Sequence, residues 1–321
     1  MPEIIDFHCD TLSLLKDSVS RCGANLKSNN FGVDLEKLKK AGSIAQFFAM
    51  FIDQRKDTSP FKQTIELCNV FYKEIQENSN EISLALNLKD FNNIRAENKI
   101  AAFLTIENGA ALEGNLDNLT QFYNLGIRLI TLTWNHQNEI GFPHCYTSDE
   151  EQKLTPFGIE LIENMNQLGI IIDVSHLSDQ GFYDVAKYSK APFIASHSNA
   201  RSVHNHSRNL TDDMIKIIGD TGGIIGINFE KSFLSANNTD FIQAMVAHIN
   251  HIHKIGGIDS LALGSDFDGI EPNPEIIDIS QLYKLIDELK NNGFNDDAID
   301  KFCSKNALRV ISDCLKENSS N

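Results

Sequence analysis

Ile4-Ile5-Asp6-Phe7-His8-Cys9-Asp10 is a short apolar run that ends in a histidine and an aspartate two positions apart. Side chains alternate along an extended strand, so His8 and Asp10 share one face while Cys9 points away and is expected to pack. An imidazole beside a carboxylate suits zinc, manganese or iron better than calcium or magnesium. The stretch therefore predicts a buried strand that carries two candidate metal ligands at its end.

Seven further runs of apolar, β-branched or aromatic residues follow along the chain. Most are continuously apolar, which is typical of strands in a parallel sheet that is buried on both faces. Segments with helical spacing separate the runs, and Thr155-Pro156 is a typical helix start. The predicted strands are 4–8, 44–52, 100–106, 127–134, 169–175, 192–197, 223–229 and 260–265, and the predicted helices are 61–78, 115–125, 156–168, 180–188, 212–220, 241–255, 278–290 and 296–315.

The alternation of these strands and helices predicts an α/β fold that consists of a single (β/α)8 TIM-type barrel. No linker divides the units, so we expect one domain over residues 1–316 and a polar C-terminal tail over 317–321. The connection 11–43 is long and polar, and we expect it to form a loop over the barrel mouth that favours short substrates. No dinucleotide-binding or phosphate-binding glycine motif is present.

Composition and charge exclude several classes of function. The 28 Lys and Arg residues against 44 Asp and Glu residues give a net charge of −16, so nucleic acid is not an expected partner. No apolar run has the length of a membrane span and no signal-type segment follows Met1, so we expect a cytoplasmic protein that does not bind a membrane. The six cysteines form no C-x-x-C pair and are expected to be free thiols.

Polar side chains follow six of the predicted strands, at the end of the barrel where active sites lie. With His136 set aside, three histidines and three carboxylates exceed what one zinc ion needs and predict a two-metal site. Glu107 is the predicted bridge, because its strand lies between those that carry the other candidate ligands. Two such ions would lower the pKa of a shared water toward neutrality. The candidate residues are His8, Asp10, Glu107, His136, His176, His197 and Asp266.

The motifs around these residues resemble, in order, those of the membrane dipeptidase family, which are the renal-dipeptidase-like zinc peptidases of the amidohydrolase superfamily. The resemblance runs from Ile4 to about Val310 and implies a binuclear zinc dipeptidase on a (β/α)8 barrel. The motifs are Ile5-Asp6-Phe7-His8-Cys9-Asp10, Glu107-Asn108-Gly109, Gly126-Ile127-Arg128-Leu129-Ile130-Thr131-Leu132-Thr133, Ile172-Asp173-Val174-Ser175-His176, Ser196-His197-Ser198, Arg208-Asn209, Gly264-Ser265-Asp266-Phe267-Asp268-Gly269 and Asn306-Ala307-Leu308-Arg309-Val310.

The resemblance implies two zinc ions per chain. His8, Asp10 and Glu107 match the ligands of one ion. Glu107, His176 and His197 match the ligands of the other, so Glu107 bridges the pair.

The resemblance also implies how a dipeptide is cleaved. Arg208 matches an arginine that contacts the substrate, for whose carboxylate a guanidinium is well shaped. Asp266 matches the acidic residue that handles protons at the bridging water and the leaving amine. The implied reaction is attack of a metal-bridging hydroxide on the amide bond of a dipeptide, with L-D dipeptides among the candidate substrates.

The chain departs from the family pattern after Thr133. Trp134 stands where the family usually has a histidine that polarises the scissile carbonyl, and His136 is the candidate to replace it in catalysis and substrate binding. An exposed loop histidine fits the sequence equally well. The alternative functions are another amidohydrolase-type metal hydrolase, such as a deacylase, lactonase or phosphotriesterase, or a non-catalytic metal-binding barrel. Family members often form dimers, so a homodimer is a candidate assembly.

Overall fold

A parallel sheet that curls into a barrel forms the centre of the molecule. The computed structural model describes residues 2–18, 23–145, 152–236 and 240–316, so the predicted tail 317–321 and Cys22 lie outside the described residues. The strands within these ranges are β1 Ile4–Asp6, β2 Ser43–Phe51, β3 Ile82–Leu84, β4 Ile100–Glu107, β5 Ile127–Thr131, β6 Ile171–Asp173, β7 Ile225–Ile227 and β8 Leu261–Leu263.

The strands pair in parallel in the order β6-β5-β4-β2-β1-β8-β7. The run 192–197, which the sequence predicts as a strand, joins the two ends of this sheet through isolated bridges. Ile194 bridges to Asp173 in β6, and Ala195 bridges to Ile225 in β7. The predicted (β/α)8 TIM-type barrel is therefore confirmed, although its sixth strand is reduced to two bridges.

β3 is a strand that the sequence analysis did not predict. Its three residues pair with Ile100–Ala102 of β4, ahead of Leu104, where the pairing of β4 with β5 begins. It is followed by helix α4, Leu88–Ala96, which is also absent from the prediction. A strand of three residues with one buried side chain carries too little apolar signal to be recognised in the sequence.

Helices surround the barrel and agree with most of the predicted helices. In α6, Thr155 accepts a hydrogen bond from the backbone of Gly158, and Gly169 ends the helix in the left-handed region at φ 77°. No helix among the described residues combines the length and apolar character that a bilayer crossing requires. The α-helices of the described part are α1 Thr11–Ser18, α2 Leu35–Ala41, α3 Pro60–Glu77, α4 Leu88–Ala96, α5 Leu116–Asn124, α6 Pro156–Leu168, α7 Asp179–Tyr188, α8 Asp212–Asp220, α9 Lys231–Leu234, α10 Phe241–Gly256, α11 Tyr283–Asn291, α12 Asp296–Asp300 and α13 Asn306–Cys314.

The last two predicted helices are interrupted in the structure. The predicted helix 278–290 begins with a 3-10 turn, Ile279–Gln281, before α11. The predicted helix 296–315 contains a π-helical segment, Lys301–Lys305, between α12 and α13. Both irregularities preserve the outer layer of helices, so they change the boundaries and leave the architecture intact.

The connection between β1 and β2 is more ordered than the predicted loop, because it contains α1 and α2. The prediction that the connection is a loop is therefore wrong where these two helices form. Part of it does reach the barrel mouth, where the backbone N–H of Gly32 donates to the Asp268 carboxylate at 2.6 Å. A Cβ atom at Gly32 would lie 3.0 Å from Asp268 and from Phe267, so glycine permits this close approach.

Apolar residues from strands around the barrel form one buried cluster, against which α13 packs. At its centre the rings of Phe7, Phe47 and Phe103 stack with centroid separations of 4.3 and 4.6 Å. Full burial of each ring stabilises the fold by about 1.5–3 kcal/mol. This packed interior gives the side chains at the strand ends a rigid base.

Candidate metal centre

Six of the predicted side chains meet at the carboxyl end of the barrel. Each ends its strand or follows it within a few residues, and all are buried, with Asp266 the most exposed at 8%. β1 already ends at Asp6, so the predicted strand does not itself carry the histidine and aspartate that follow it. The six residues are His8, Asp10, Glu107, His176, His197 and Asp266.

Glu107 lies between two groups of ligand atoms and presents one carboxylate oxygen to each. Its Oε2 is 3.6 Å from Nε2 of His8. Its Oε1 is 3.1 Å from Nε2 of His176 and 3.7 Å from Nε2 of His197. A carboxylate divided in this way has the geometry to bridge two ions.

The first group consists of His8 with the carboxylates of Asp10 and Asp266. Nε2 of His8 is 3.3 Å from Oδ2 of Asp10 and 3.7 Å from Oδ1 of Asp266. Both ring nitrogens of His8 and Oδ1 of Asp10 are buried without a hydrogen-bond partner among the described residues. Burial lowers the pKa of His8, but the carboxylates of Asp10 and Glu107 outweigh it and raise that pKa well above its ordinary value. A metal cation among these carboxylates would satisfy Nε2 of His8 and replace the proton.

The second group consists of His176 and His197 with Glu107. The two Nε2 atoms are 3.0 Å apart. Burial holds the pKa of both imidazoles well below their ordinary value, and positive charge adds to it, that of Arg208 at His176 and those of His8 and Arg208 at His197. Neutral imidazole is the form that binds a metal, so two nitrogens and one oxygen are available here, a set that suits zinc.

The ring of His197 is oriented by a hydrogen-bond chain that starts at a buried carboxylate. Oγ of Ser196 donates to Oδ2 of Asp173 at 2.6 Å and lies 2.7 Å from Nδ1 of His197. With its hydrogen on the aspartate, the hydroxyl accepts from Nδ1–H and leaves Nε2 free for a metal. Asp173 is held in turn by the backbone N–H of Ser175 and the hydroxyl of Thr131.

Substitution of Ser196 should weaken metal binding at the second group. With zinc as the probe ion, we expect Ser196→Ala to lower the affinity of this group by about 10- to 100-fold, because the ring of His197 loses its fixed orientation. Competition for zinc between the metal-free protein and a chromophoric chelator measures the affinity. Thr131→Val is the matched control, since it removes another donor from Asp173 and leaves the Ser196–His197 bond in place. Equal zinc affinities for the wild type and S196A would show that Ser196 does not orient His197 for metal binding.

Asp266 is held against the first group in a strained backbone conformation. Its φ is 64°, and that of His176 is 69°, both in the left-handed region that non-glycine residues rarely adopt. Asn228 donates to Oδ2 of Asp266 at 2.9 Å, which leaves Oδ1 directed at His8. Burial raises the pKa of Asp266 to about 8. A Cβ atom at Gly269 would lie 2.2 Å from Oδ2 of Asp10 and 2.6 Å from Oδ1 of Asp266, so a side chain at this position would displace both carboxylates.

Arg208 is the cation of the site. It is 4% exposed, donates to the His197 carbonyl at 3.0 Å and to the Ser198 hydroxyl at 3.3 Å, and packs against Phe233. Its Nε has no partner among the described residues. Burial lowers its pKa to about 10, so the guanidinium stays charged at neutral pH and can bind an anion.

The structure places His136 apart from the other predicted residues. Its ring packs edge-on against Trp134 at a centroid distance of 5.6 Å. A cavity of about 830 Å³ opens over the metal centre, and Trp134 and Asn135 line it, whereas His136 is not among its described lining residues. Sequence reasoning missed Asn135, Ser196 and Asn228, because a neutral polar residue has no spacing signal of its own.

Comparisons with known proteins show which family the chain belongs to. A sequence profile of the membrane dipeptidase family (peptidase family M19) matches residues 2–321. An uncharacterised Klebsiella pneumoniae protein, encoded in the pqqA 5′ region, is 36% identical over 247 residues, which cover 74% of this chain and 90% of that protein. An uncharacterised dipeptidase of Schizosaccharomyces pombe is 32% identical over 295 residues, which cover 86% of this chain and 71% of that protein.

Solved structures share the fold over nearly the whole chain. The metallopeptidase dipeptidase AC, of family M19, superposes with a TM-score of 0.89 at 25% identity and covers 98% of this chain and 99% of its own. A Rhodobacter sphaeroides metallopeptidase, liganded with a phosphinate mimic of the dipeptide L-Ala-D-Ala, gives 0.88 at 24% identity with the same coverage. The chain belongs to the membrane dipeptidase family, peptidase family M19, and is a metallo-dipeptidase.

Proposed function

We propose that this metallo-dipeptidase binds two zinc ions bridged by Glu107 and hydrolyses dipeptides, L-D dipeptides included. The observation that carries the proposal is the orientation of the Glu107 carboxylate, whose two oxygens face two separate groups of ligand atoms. The R. sphaeroides protein with an L-Ala-D-Ala mimic makes an L-D dipeptide a natural substrate to test. The cytoplasmic location and the homodimer stay predictions.

The residues of the two groups fit zinc in type and charge. His8, Asp10 and Glu107 would hold one ion, and Glu107, His176 and His197 would hold the other. When bound, the ions would supply a water that ionises near neutral pH and a Lewis acid for the amide carbonyl.

Asp266 is the residue that we propose moves protons during hydrolysis. Asn228 occupies its Oδ2, so Oδ1 faces the centre. In this position the carboxylate can take a proton from the attacking water and give it to the departing amine nitrogen, as a general base and then a general acid. The role that the sequence predicts for His136 stays a prediction, and its packing behind Trp134 keeps it out of the described cavity lining.

Arg208 is the residue that we propose binds the C-terminal carboxylate of the substrate. Among the described residues it is the buried arginine beside the second group, and its Nε is still free to donate. A guanidinium that pairs with a carboxylate positions the amide bond over the centre and selects substrates with a free C-terminus.

Substitution of Arg208 tests this substrate class. We expect Arg208→Lys to reduce kcat/KM for a dipeptide by about 10- to 100-fold, because lysine keeps the charge but loses the planar pair of donors. The wild type should have a high kcat/KM for a dipeptide and a low kcat/KM for the corresponding dipeptide amide. In R208K the ratio of these two kcat/KM values should be smaller. Steady-state kinetics with both substrates measures it. A wild type that cleaves the amide as fast as the free dipeptide would contradict the carboxylate assignment.

A further inference from the structure

We infer that the side-chain amide of Asn135 donates a hydrogen bond to the scissile carbonyl oxygen of the substrate and acts as a catalytic residue. The inference rests on the proposed function, since it concerns the same reaction at the same site. The first observation is that two imidazoles lie within hydrogen-bond distance of the oxygen of this amide. Oδ1 of Asn135 lies 2.9 Å from Nδ1 of His176 and 3.1 Å from Nε2 of His144.

The direction of these two hydrogen bonds fixes which end of the amide faces the imidazoles. Nε2 of His176 points at Glu107 and must be free of hydrogen to bind a metal, so its Nδ1 carries the hydrogen and donates to Oδ1. Nδ1 of His144 lies 2.8 Å from the hydroxyl of Ser207, which can donate to it. Nε2 of His144 then carries the ring hydrogen and is a second donor to Oδ1.

The nitrogen of the amide is therefore turned away from both rings. Reversing the amide would set its N–H groups against the Nδ1–H of His176, donor against donor. No hydrogen bond from Nδ2 of Asn135 to another described residue is found. Asn135 is exposed and lines the cavity together with His176 and Glu107, so its N–H groups are available to a bound substrate beside the second group.

A donor in this position acts on the charge that develops during hydrolysis. As the amide carbon becomes tetrahedral, its oxygen gains negative charge, and a donor already held in place stabilises that charge without reorganisation. His144 and His176 provide the positioning for Asn135, whereas His136 packs against Trp134. Asn135 is therefore better placed for this role than the histidine that the sequence predicts.

The test compares three variants of the zinc-loaded full chain. N135D keeps an oxygen for His176 and His144 but removes the N–H donors, H136A removes the competing candidate, and Q137A is the control at an exposed neighbour. We expect N135D to lower kcat by about 10²- to 10³-fold with little change in KM or zinc content. A phosphinate dipeptide mimic should bind N135D more weakly by a similar factor, because it presents the charged oxygen of the tetrahedral state.

Several outcomes would overturn the assignment. The first is an N135D enzyme with the kcat of the wild type. The second is an N135D enzyme whose only change is a higher KM. The third is a loss of phosphinate affinity in H136A and not in N135D. A wild type that cleaves no dipeptide would contradict the proposed function rather than this inference. In that case the phosphinate affinities of the wild type and N135D still decide whether Asn135 donates to the charged oxygen.

Discussion

Glu107→Gln should leave a folded barrel that holds neither ion tightly and hydrolyses dipeptides at least on the order of 10³-fold more slowly. Both groups of ligand atoms share this carboxylate, so one substitution takes a negative ligand from each of them. Lewis-acid stabilisation by bound metal is worth several kcal/mol, and each 1.4 kcal/mol corresponds to about a tenfold change in rate. Zinc content after dialysis and kcat/KM for a dipeptide together measure the effect.

The matched control for this variant is Glu163→Gln, which makes the same chemical change at an exposed position of α6. It should keep the zinc content and the rate of the wild type. Circular dichroism of both variants checks that the barrel is intact. An E107Q protein that retains two zinc ions per chain would show that Glu107 does not bridge them.

Asp266→Asn should keep the metal and lose about 10²- to 10⁴-fold in kcat, the range that general acid–base catalysis contributes. Asparagine has nearly the shape of aspartate and can still accept from Asn228, but it cannot carry a proton to the leaving amine. The measurement is kcat at saturating dipeptide, with zinc content determined on the same sample.

Asp268→Asn separates this chemical role from a structural one. Asp268 also has a positive φ, but its oxygens accept from the Thr11 hydroxyl and the Gly32 backbone. We therefore expect D268N to lower the melting temperature of the protein and to change kcat little. A D266N enzyme with wild-type kcat would remove Asp266 from proton transfer.

The fold could be predicted largely from the sequence because strands of a parallel barrel are continuously buried. The predicted strand 44–52 matches β2, Ser43–Phe51, to within one residue at each end, since its side chains are almost all buried. Two features of the strands could not be predicted. β3 is three residues long, and the run 192–197 joins each of its neighbours through a single isolated bridge.

In the candidate site, the sequence predicted the candidate metal ligands but not the residues that orient them. Histidines and carboxylates at strand ends give a strong signal, because the barrel brings those ends together. The residues that orient these histidines and carboxylates give no such signal in the sequence. Ser196 matters only because its hydroxyl lies between Asp173 and His197, and Asn135 only because two imidazoles converge on its oxygen. Such partners become recognisable once distances are known.

A zinc titration of the metal-free protein, with hydrolysis of one L-L and one L-D dipeptide followed at each step, tests the two-zinc dipeptidase. We expect no cleavage without metal and a rate that rises to a plateau at two zinc ions per chain. A protein that binds zinc and cleaves neither dipeptide, or one that reaches its full rate with a single ion, would contradict the proposed function.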